Sequence, residues 1–432
     1  MELKKYKLGE ILDVTRGASL SGEFYATEGK YIRLTCGNFD YQNNCFKENK
    51  SKDNLYYIGD FKPEFLMEEG DIITPLTEQA IGLLGSTAII PESGKYIQSQ
   101  DVAKIICKEE LLDKDFVFYL ISSTLVKQQL SAAAQQTKIR HTSPDKIRDC
   151  TVWIPELTEQ KRIGKLLRSL DRKIELNRAI NQNLEAMAKQ LYDYWFVQFD
   201  FPNENGKPYK SSGGKMVWNE KLKREIPKGW NVLKLGEHCS FNKRTSNGYF
   251  NHPILYLDTS NITNNTIDEL QFLNPSSDII PSRARRLVQE GDIVYSTVRP
   301  NLKHFGIIMN PDYNMVVSTG FAVITANWSA YRYFIYQFLI QAATIENLST
   351  IAQSAVSAYP SINTSDIENL DLVVPPDSMI EKYAKTACRL YLQIDTNYKE
   401  IKSLTKQRDE LLPLLMNGQV SVNSDLSVYK KR

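Results

Sequence analysis

The chain repeats its own sequence, and this repeat constrains the fold more than any other feature. Near the start, Tyr6-Lys-Leu-Gly-Glu10 resembles Leu233-Lys-Leu-Gly-Glu237 in the second half. Further along, Glu69-Gly-Asp-Ile-Ile73 is matched by Glu290-Gly-Asp-Ile-Val294. Because the matches keep the same order, the sequence predicts two related structural units in one chain.

The later matches share one constant offset. Cys150-Thr-Val-Trp-Ile-Pro155 is followed 220 residues later by Leu370-Asp-Leu-Val-Val-Pro375, and Ile174-Glu-Leu-Asn177 is followed at the same offset by Ile394-Asp-Thr-Asn397. In each half, a predicted strand that ends in proline leads into a long helix. Each half is therefore predicted to be a mixed α/β globular region followed by one long helix.

The repeat and the turn-forming residues predict the domain boundaries. Shorter helices are predicted at 115–133 and 330–347, where apolar residues recur at helical spacing. The segment that follows the first long helix is rich in Pro, Gly, Ser and Asn, which is typical of a connecting loop. The predicted segments are a globular region at 1–155, a long helix at 156–199, a connecting loop at 200–226, a second globular region at 227–375, a second long helix at 376–418 and a C-terminal tail at 419–432.

Both predicted long helices carry a narrow heptad stripe. The main rows are Ile163, Leu170, Asn177, Leu184 and Leu191 in the first helix, and Leu390, Asn397, Leu404 and Leu411 in the second. So narrow a stripe favours pairing with another helix, although each helix could instead pack only on its own globular region. If the two helices pair antiparallel, Asn177 and Asn397 are predicted to face each other and to set the register. The alternative is that both asparagines are solvated.

Composition disfavours several classes of protein. The charged first residues and the lack of a long apolar run predict a cytoplasmic chain without a signal peptide or a membrane span. The 6 cysteines and 4 histidines are scattered, so reduced thiols and no metal site are expected. A net charge of +2 does not decide whether the chain binds nucleic acid, because lysine and arginine can be concentrated on one face.

Four segments carry a resemblance to a known family. They are Leu184-Glu-Ala-Met-Ala-Lys-Gln-Leu-Tyr-Asp-Tyr-Trp-Phe-Val-Gln-Phe-Asp200, the adjoining Asn203-Glu-Asn-Gly-Lys-Pro-Tyr-Lys-Ser-Ser-Gly-Gly214, Ile226-Pro-Lys-Gly-Trp230, and Arg408-Asp-Glu-Leu-Leu-Pro-Leu-Leu-Met-Asn-Gly418. With the paired Gly-Asp-Ile elements, the whole chain resembles the specificity (S) subunit of type I restriction-modification systems. The first half departs slightly, because it has no Ile-Pro-x-Gly-Trp segment before Lys-Leu-Gly-Glu.

The resemblance implies a fold and a set of partners. The fold is of the α+β class: two similar mixed α/β target recognition domains are joined by two long antiparallel helices that form a coiled-coil spacer, with a pseudo-twofold internal repeat. Each domain is implied to read one half of a bipartite site on double-stranded DNA. The helices are implied to dock two methyltransferase (M) subunits, which modify adenine and bind S-adenosylmethionine, and restriction (R) subunits can join them. The chain itself is expected to bind no cofactor and to be non-catalytic.

Catalytic motifs are not recognisable in the sequence. A methyltransferase needs a glycine-rich cofactor loop and an Asn/Asp-Pro-Pro-aromatic element, and the nearest string, Val374-Pro-Pro-Asp377, does not match it. Pro144-Asp145 followed by Glu159-Gln160-Lys161 imitates the acidic metal site of nucleases. However, Glu159 and Lys161 open a predicted helix, whereas such a site needs neighbouring strands. Neither a fused methyltransferase nor a nuclease is therefore favoured.

Three loops in each half are candidates for reading DNA, because they carry basic, hydroxyl and amide side chains that can reach phosphates and base edges. In the first half, the candidate residues are Arg16, Ser19, Thr77, Gln79, Gln136, Thr137, Lys138, Arg140 and His141. In the second half, they are Lys243, Arg244, Thr245, Arg299, Asn301, Lys303, His304, Ser357 and Tyr359. Since the two sets differ, the sequence predicts two different half-sites and an asymmetric target. The alternative function is a duplicated coiled-coil adaptor that does not touch DNA.

Overall fold

The computed structural model describes residues 2–49, 53–78, 82–133, 140–354 and 360–422. The chain divides into two compact units. Unit 1 consists of residues 1–176 and 400–432, and unit 2 consists of residues 177–399. Each unit thus combines one globular region with parts of both long helices. Among the described residues, no helix is both long and apolar enough to cross a bilayer.

The strands of unit 1 precede the first long helix. They are β1 (Lys4–Lys7), β2 (Leu12–Arg16), β3 (Tyr25–Ala26), β4 (Tyr31–Arg33), β5 (Phe39–Asp40), β6 (Cys45–Phe46), β7 (Tyr56–Tyr57), β8 (Ile72–Pro75), β9 (Thr77–Glu78), β10 (Ala88–Ile89), β11 (Tyr96–Ile97), β12 (Val102–Cys107), β13 (Arg140–His141) and β14 (Thr151–Ile154).

The strands of unit 2 lie between the long helices in the sequence. They are β15 (Met216–Asn219), β16 (Arg224–Pro227), β17 (Asn231–Lys234), β18 (Cys239–Phe241), β19 (Ile254–Leu257), β20 (Ile262–Thr263), β21 (Thr266–Ile267), β22 (Gln271–Leu273), β23 (Ala284–Leu287), β24 (Ile293–Ser296), β25 (Phe305–Ile307), β26 (Met315–Ser318), β27 (Phe321–Ala326) and β28 (Asp371–Val374).

The α-helices alternate with these strands. They are α1 (Leu8–Ile11), α2 (Lys114–Ile121), α3 (Thr124–Ala133), α4 (Pro144–Arg148), α5 (Leu157–Tyr192), α6 (Tyr331–Leu339), α7 (Ala342–Ser354), α8 (Thr364–Glu368) and α9 (Asp377–Met416). The mixture of helices and strands confirms the predicted α+β class.

The internal repeat is visible in the sheet topology. The main sheet of unit 1 has the strand order β10-β8-β12-β2, and the main sheet of unit 2 has the equivalent order β25-β24-β27-β18. In both units the first strand of the globular region also pairs with its last strand, β1 with β14 and β17 with β28. The second four-stranded sheets share the order β11-β4-β7 in unit 1 and β26-β19-β22 in unit 2, with the same parallel and antiparallel pairs. They differ in the fourth strand, because β3 lies beside β7 in unit 1 and β23 lies beside β26 in unit 2. The repeat therefore conserves one sheet completely and the other in three of its four strands.

In each globular region, two short helices occupy the segment where the sequence predicted a single helical stretch. In unit 1 the break lies at Ser122 and Ser123, between α2 and α3. The Ser122 hydroxyl donates to the carbonyl oxygens of Phe118 and Tyr119, which would otherwise accept from the next helical turn. The equivalent break in unit 2 separates α6 from α7 at residues 340 and 341. The apolar period continues across both breaks, so it could not reveal them.

The long helices confirm the prediction of two extended helices with an antiparallel pairing inside each unit. Helix α5 has 36 residues and helix α9 has 40. In unit 1, Arg408 Nη1 lies 2.9 Å from Asp171 Oδ1, and Lys173 forms an ion pair with Glu400. As the residue number rises on α5, the number of its partner on α9 falls. Beyond Tyr192, α5 continues as one π-helical turn, Asp193–Val197.

The predicted connecting loop at 200–226 contains regular structure. Strands β15 and β16 form a hairpin in which Val217 pairs with Ile226, so the loop assignment was wrong for this part. The two strands of the hairpin are only four residues long, so their pattern in the sequence is short. In the turn between them, Lys223 adopts a left-handed backbone with a φ of 50°. The earlier part packs on unit 2, where the Phe201 ring stacks on Tyr209 and Trp230 with centroid distances of 4.6 and 5.1 Å.

Candidate nucleic-acid interface

Two of the candidate loops of unit 1 lie at one edge of the main sheet. Strands β2 and β8 both run antiparallel to β12, which lies between them, so their carboxyl ends meet at the same edge. The loop after β2 bonds to the turn before β12 through Ala18 N and Gln98 O, 2.9 Å apart. The segment after β8 bonds to the same turn through Leu76 N and Asp101 O, 2.8 Å apart. Strand order therefore brings the two loops together.

The third candidate of unit 1 joins this edge through a short strand pair. Strand β13 pairs with β9, so Arg140 lies opposite Glu78 and His141 lies opposite Thr77. The Glu78 carboxylate is buried, and its Oε2 lies 3.5 Å from Arg140 Nη1. Glu78 thus orients a half-buried arginine at the surface. We call residues 16–19, 75–78 and 140–141 the first loop cluster.

Exposure separates the predicted residues of the first loop cluster. Arg16, Ser19 and His141 are exposed, as a DNA contact requires. Thr77 is buried, and its hydroxyl lies 3.3 Å from Asp101 Oδ1 and 3.4 Å from His141 Nδ1. Thr77 is therefore placed to hold His141 in position rather than to contact a base.

Unit 2 builds an equivalent edge from equivalent strands. Strands β18 and β24 flank β27 and both run antiparallel to it. Asn242 N donates to Val323 O and Thr297 N donates to Gly320 O, so the loops after β18 and β24 meet at the start of β27. Arg299 N donates to Pro360 O, which adds the segment before α8. We call residues 242–246, 297–304 and 360–362 the second loop cluster.

The side chains of the second loop cluster fall into two groups. The exposed candidates are Lys243, Thr245, Arg299, Asn301 and Lys303. Arg299 and Lys303 have left-handed backbones, at φ 48° and 59°, an uncommon conformation for residues other than glycine. The two residues flank the short turn Pro300–Leu302, on which the Asn301 side chain is exposed.

Arg244 and His304 have structural partners inside unit 2. Arg244 Nη2 lies 2.7 Å from the carboxylate of Asp292, which is fully buried. Burial raises the pKa of Asp292, while hydrogen bonds from Thr325 and Arg244 oppose that rise. His304 Nδ1 lies 2.7 Å from Ile262 O. Both side chains thus have partners inside unit 2, and the prediction that they contact DNA stays a prediction.

The remaining predicted residues lie outside the described part of the chain. They are Gln79, Gln136, Thr137, Lys138, Ser357 and Tyr359.

An arginine group beside the second loop cluster was missed by the sequence analysis. Strand β23 and the residue before it carry Arg283, Arg285 and Arg286. Arg286 Nη1 donates to Thr245 Oγ1 at 2.9 Å, so this strand lies against the loop after β18. Arg283 and Arg285 are exposed. Three arginines within four residues were the available signal, because guanidinium groups bind phosphate and guanine edges in a fixed geometry.

Asn397 of α9 forms a hydrogen bond with an asparagine of α5, Asn181, that the sequence analysis did not single out. Asn397 Nδ2 donates to Asn181 Oδ1 at 2.8 Å, and Asn181 Nδ2 donates to Ile394 O at 3.3 Å. Asn177 is buried as expected, but the partner of Asn397 is one helical turn further along α5. Both positions lie on the same face of the helix, so heptad counting could not separate them.

In residues 2–49, 53–78, 82–133, 140–354 and 360–422, no group of three or more His, Cys, Asp and Glu side chains is arranged to hold a metal ion.

Comparison with known proteins points to one family. The model of the type I restriction modification DNA specificity domain matches residues 1–186 and 227–406. The type I restriction enzyme MjaIX specificity subunit of Methanocaldococcus jannaschii is 25% identical over 334 residues, covering 75% of this chain and 73% of that protein. The HindI specificity subunit of Haemophilus influenzae is 28% identical over 171 residues, 39% of this chain and 36% of that protein. The crystal structure of the type I restriction-modification S subunit from M. genitalium covers 96% of each chain at 16% identity, with a TM-score of 0.56.

Proposed function

Because this chain belongs to the type I restriction modification DNA specificity family, we propose that it selects the DNA sequence on which a methyltransferase and restriction complex acts. Its partners in this proposal are double-stranded DNA, two M subunits and R subunits that can join them. Residues 1–155 and 227–375 serve as the two target recognition domains. The family assignment favours this function over a coiled-coil adaptor that does not touch DNA.

The observation that carries the proposal is that equivalent sheet edges present different side chains. The first loop cluster exposes Arg16, Ser19 and His141. The equivalent edge in unit 2 exposes Lys243, Thr245, Arg299, Asn301 and Lys303, beside Arg283 and Arg285. Arginine and lysine position a protein on phosphates, whereas amide, hydroxyl and guanidinium groups also read base edges. Two different sets of readers select two different half-sites, so the target is asymmetric.

The long helices are proposed to set the distance between the two half-sites and to dock the M subunits. At about 1.5 Å per residue, a helix of 36 residues is roughly 54 Å long. The Asn181 and Asn397 pair fixes one register of the helices within unit 2. A fixed register gives a fixed number of base pairs between the half-sites.

The chain is proposed to be non-catalytic and cytoplasmic. The M subunits would bind S-adenosylmethionine and extrude the adenine, because methyl transfer requires the base to leave the helical stack. This chain would supply position and sequence choice, and its own residues would bind no cofactor.

Methylation mapping by the complex tests the proposal. The chain is expressed with its M subunits, and methylated adenines are located across a genome to give the bipartite motif. Asn301→Ala removes an exposed amide from the second loop cluster, and should relax base preference in one half of the motif. His141→Ala is the matched change in the first loop cluster, and should relax the other half. If both variants altered the same half, or lowered methylation at every site without changing the motif, the assignment of the clusters would be wrong.

A further inference from the structure

The two repeats place different residues at equivalent positions of the helix pair. The offset of 220 residues makes position 171 equivalent to 391, and position 188 equivalent to 408. Asp171 of the first repeat pairs with Arg408 of the second, in unit 1. The symmetry-related pair is therefore Ala188 of the first repeat with Tyr391 of the second, in unit 2. Both of these residues are buried in one hydrophobic cluster.

The pair in unit 1 is a buried ion pair with a third partner. The side chains of Arg408 and Asp171 are 9% and 10% exposed, and their atoms Nη1 and Oδ1 are 2.9 Å apart. The Tyr119 hydroxyl donates to the other carboxylate oxygen of Asp171. Burial raises the pKa of the Tyr119 hydroxyl, and the nearby Asp171 carboxylate raises it further. The hydroxyl therefore keeps its proton and remains a hydrogen-bond donor. The charge of Asp171 is thus matched only when an arginine occupies position 408.

The pair in unit 2 is uncharged, and it combines the large side chain of Tyr391 with the small side chain of Ala188. The Tyr391 ring is stacked on Tyr333 with centroids 4.8 Å apart, and its hydroxyl accepts from Gln337 Nε2 at 2.7 Å. Both Tyr391 and Ala188 are fully buried. By the symmetry of the repeat, the small side chain of Ala188 lies at the position opposite this ring.

Pairing of a repeat with a second copy of itself would mismatch these side chains. Two first repeats would set Asp171 against Ala188, leaving a buried carboxylate without its cation. Two second repeats would set Tyr391 against Arg408, leaving a buried cation without its carboxylate in space that the ring already fills. Breaking a buried ion pair in this way is strongly unfavourable.

A second layer adds to the mismatch of the second repeat. Asn397 donates to Asn181 of the first repeat. The residue equivalent to Asn181 in the second repeat is Ile401. In a pair of second repeats, Asn397 would therefore face a side chain with no acceptor, and its buried amide would lose a hydrogen bond.

We propose that these layers make each helix selective for the helix of the other repeat, so that the chain pairs with itself and does not exchange helices with a second copy. Specific pairing requires that the correct helix pair be more stable than the competing pairs. Favourable contacts in the correct pair and mismatched side chains in the two like pairs both increase this difference. The consequence is that one molecule always combines two different recognition domains. This inference does not depend on DNA binding.

The experiment uses the complete chain after a single cut. Residues 204–207 are exposed, so a protease site can be inserted after Lys207 without replacing Gly206, whose φ of 72° favours glycine. The folded chain is cut, unfolded in guanidinium chloride and refolded, and the pairs are counted by native mass spectrometry. Random pairing gives the two like pairs and the mixed pair in the ratio 1:1:2. We expect the ratio of the mixed pair to either like pair to be higher than the random ratio by about tenfold or more. A statistical mixture from the unaltered sequence would overturn the proposal.

A variant with a matched control isolates the side chains responsible. Ala188→Arg with Tyr391→Asp makes every such layer an ion pair, and should raise the amount of the first-repeat like pair by about tenfold or more. Met187→Arg with Leu392→Asp makes the same charge change at neighbouring exposed positions, and should leave the distribution unchanged.

A measurement on native protein covers the case in which a variant does not refold. Isotope-labelled and unlabelled cut chains, both with the unaltered sequence, are mixed without denaturant. Exchange should produce mixed pairs carrying either label, and like pairs at their statistical share would again contradict the proposal.

Discussion

Replacing Asn181 by leucine should destabilise unit 2 because it leaves a buried amide without its acceptor. Asn181 and Asn397 are 3% and 4% exposed, and their side chains are joined by a hydrogen bond of 2.8 Å. In Asn181→Leu, Asn397 Nδ2 loses this acceptor while Gln393 still donates to Asn397 Oδ1. A buried donor left in this way costs about 1–3 kcal/mol of the free energy of unfolding.

The double variant Asn181→Leu with Asn397→Leu should recover most of that loss. When both partners become apolar groups of similar shape, no buried polar atom is left unsatisfied, and the change is close to neutral. The double-mutant cycle should therefore give a coupling energy of about 1–3 kcal/mol rather than additive losses.

Urea unfolding followed by tryptophan fluorescence measures this coupling in the right unit. Of the 5 tryptophans, Trp195, Trp218, Trp230 and Trp328 belong to unit 2. Asn183→Leu is the control, because Asn183 is exposed on the same helix and its replacement should change the free energy of unfolding by less than about 0.5 kcal/mol. Equal losses in Asn181→Leu and Asn183→Leu, or additive losses in the double variant, would refute the assignment of the register to this pair.

Three further changes test other parts of the molecule. Burial raises the pKa of Glu185 to about 7 from an ordinary value of 4.5, so the folded state loses stability as the pH rises from 4.5 to 7 and this carboxyl ionises. In urea unfolding, Glu185→Gln should therefore be more stable than the unaltered chain at pH 8 and equally stable below pH 4.5. Gly17→Ala would place a β-carbon 2.2 Å from Gln98 O, so the first loop cluster must shift; we expect a loss of about 1–3 kcal/mol in thermal unfolding and relaxed preference in one half-site. Arg285→Ala should weaken binding of the assembled complex to all DNA sequences alike and reduce the slope of log affinity against log salt by about 1, and an effect confined to one base pair would contradict a phosphate contact.

The repeat and the long helices could be predicted because their signals are local and recur. The offset between Ile174-Glu-Leu-Asn177 and Ile394-Asp-Thr-Asn397 gives the equivalence of the two helices without any coordinates. A seven-residue period over several turns likewise indicates helix pairing. Each of these signals is repeated along the chain, so chance matches are suppressed.

The details of the candidate interface could not be predicted, because they depend on which strands become neighbours. The ion pair of Arg244 with the buried Asp292 could not be foreseen, because the two residues are brought together only by the order of the strands. Arg285 was overlooked because only the pairing of β23 beside residues 242–246 places it near the loops. Asn177 and Asn181 lie one turn apart, so they point in nearly the same direction around the axis of α5. The sequence pattern alone therefore could not show which of them bonds to Asn397.

The pairing of the first strand with the last strand in each globular region has a consequence for exchange between genes. Lys4–Lys7 lies beside Thr151–Ile154, and Asn231–Lys234 lies beside Asp371–Val374. The two ends of each region therefore enter and leave side by side, so a region spliced at these ends keeps its first and last strands paired. Its buried contacts with the long helices, such as Tyr119 with Asp171 and Gln337 with Tyr391, must then be matched by the incoming region. Recombination at these ends would therefore exchange a whole globular region, and with it the proposed half-site preference, where the incoming region supplies partners for those helix residues.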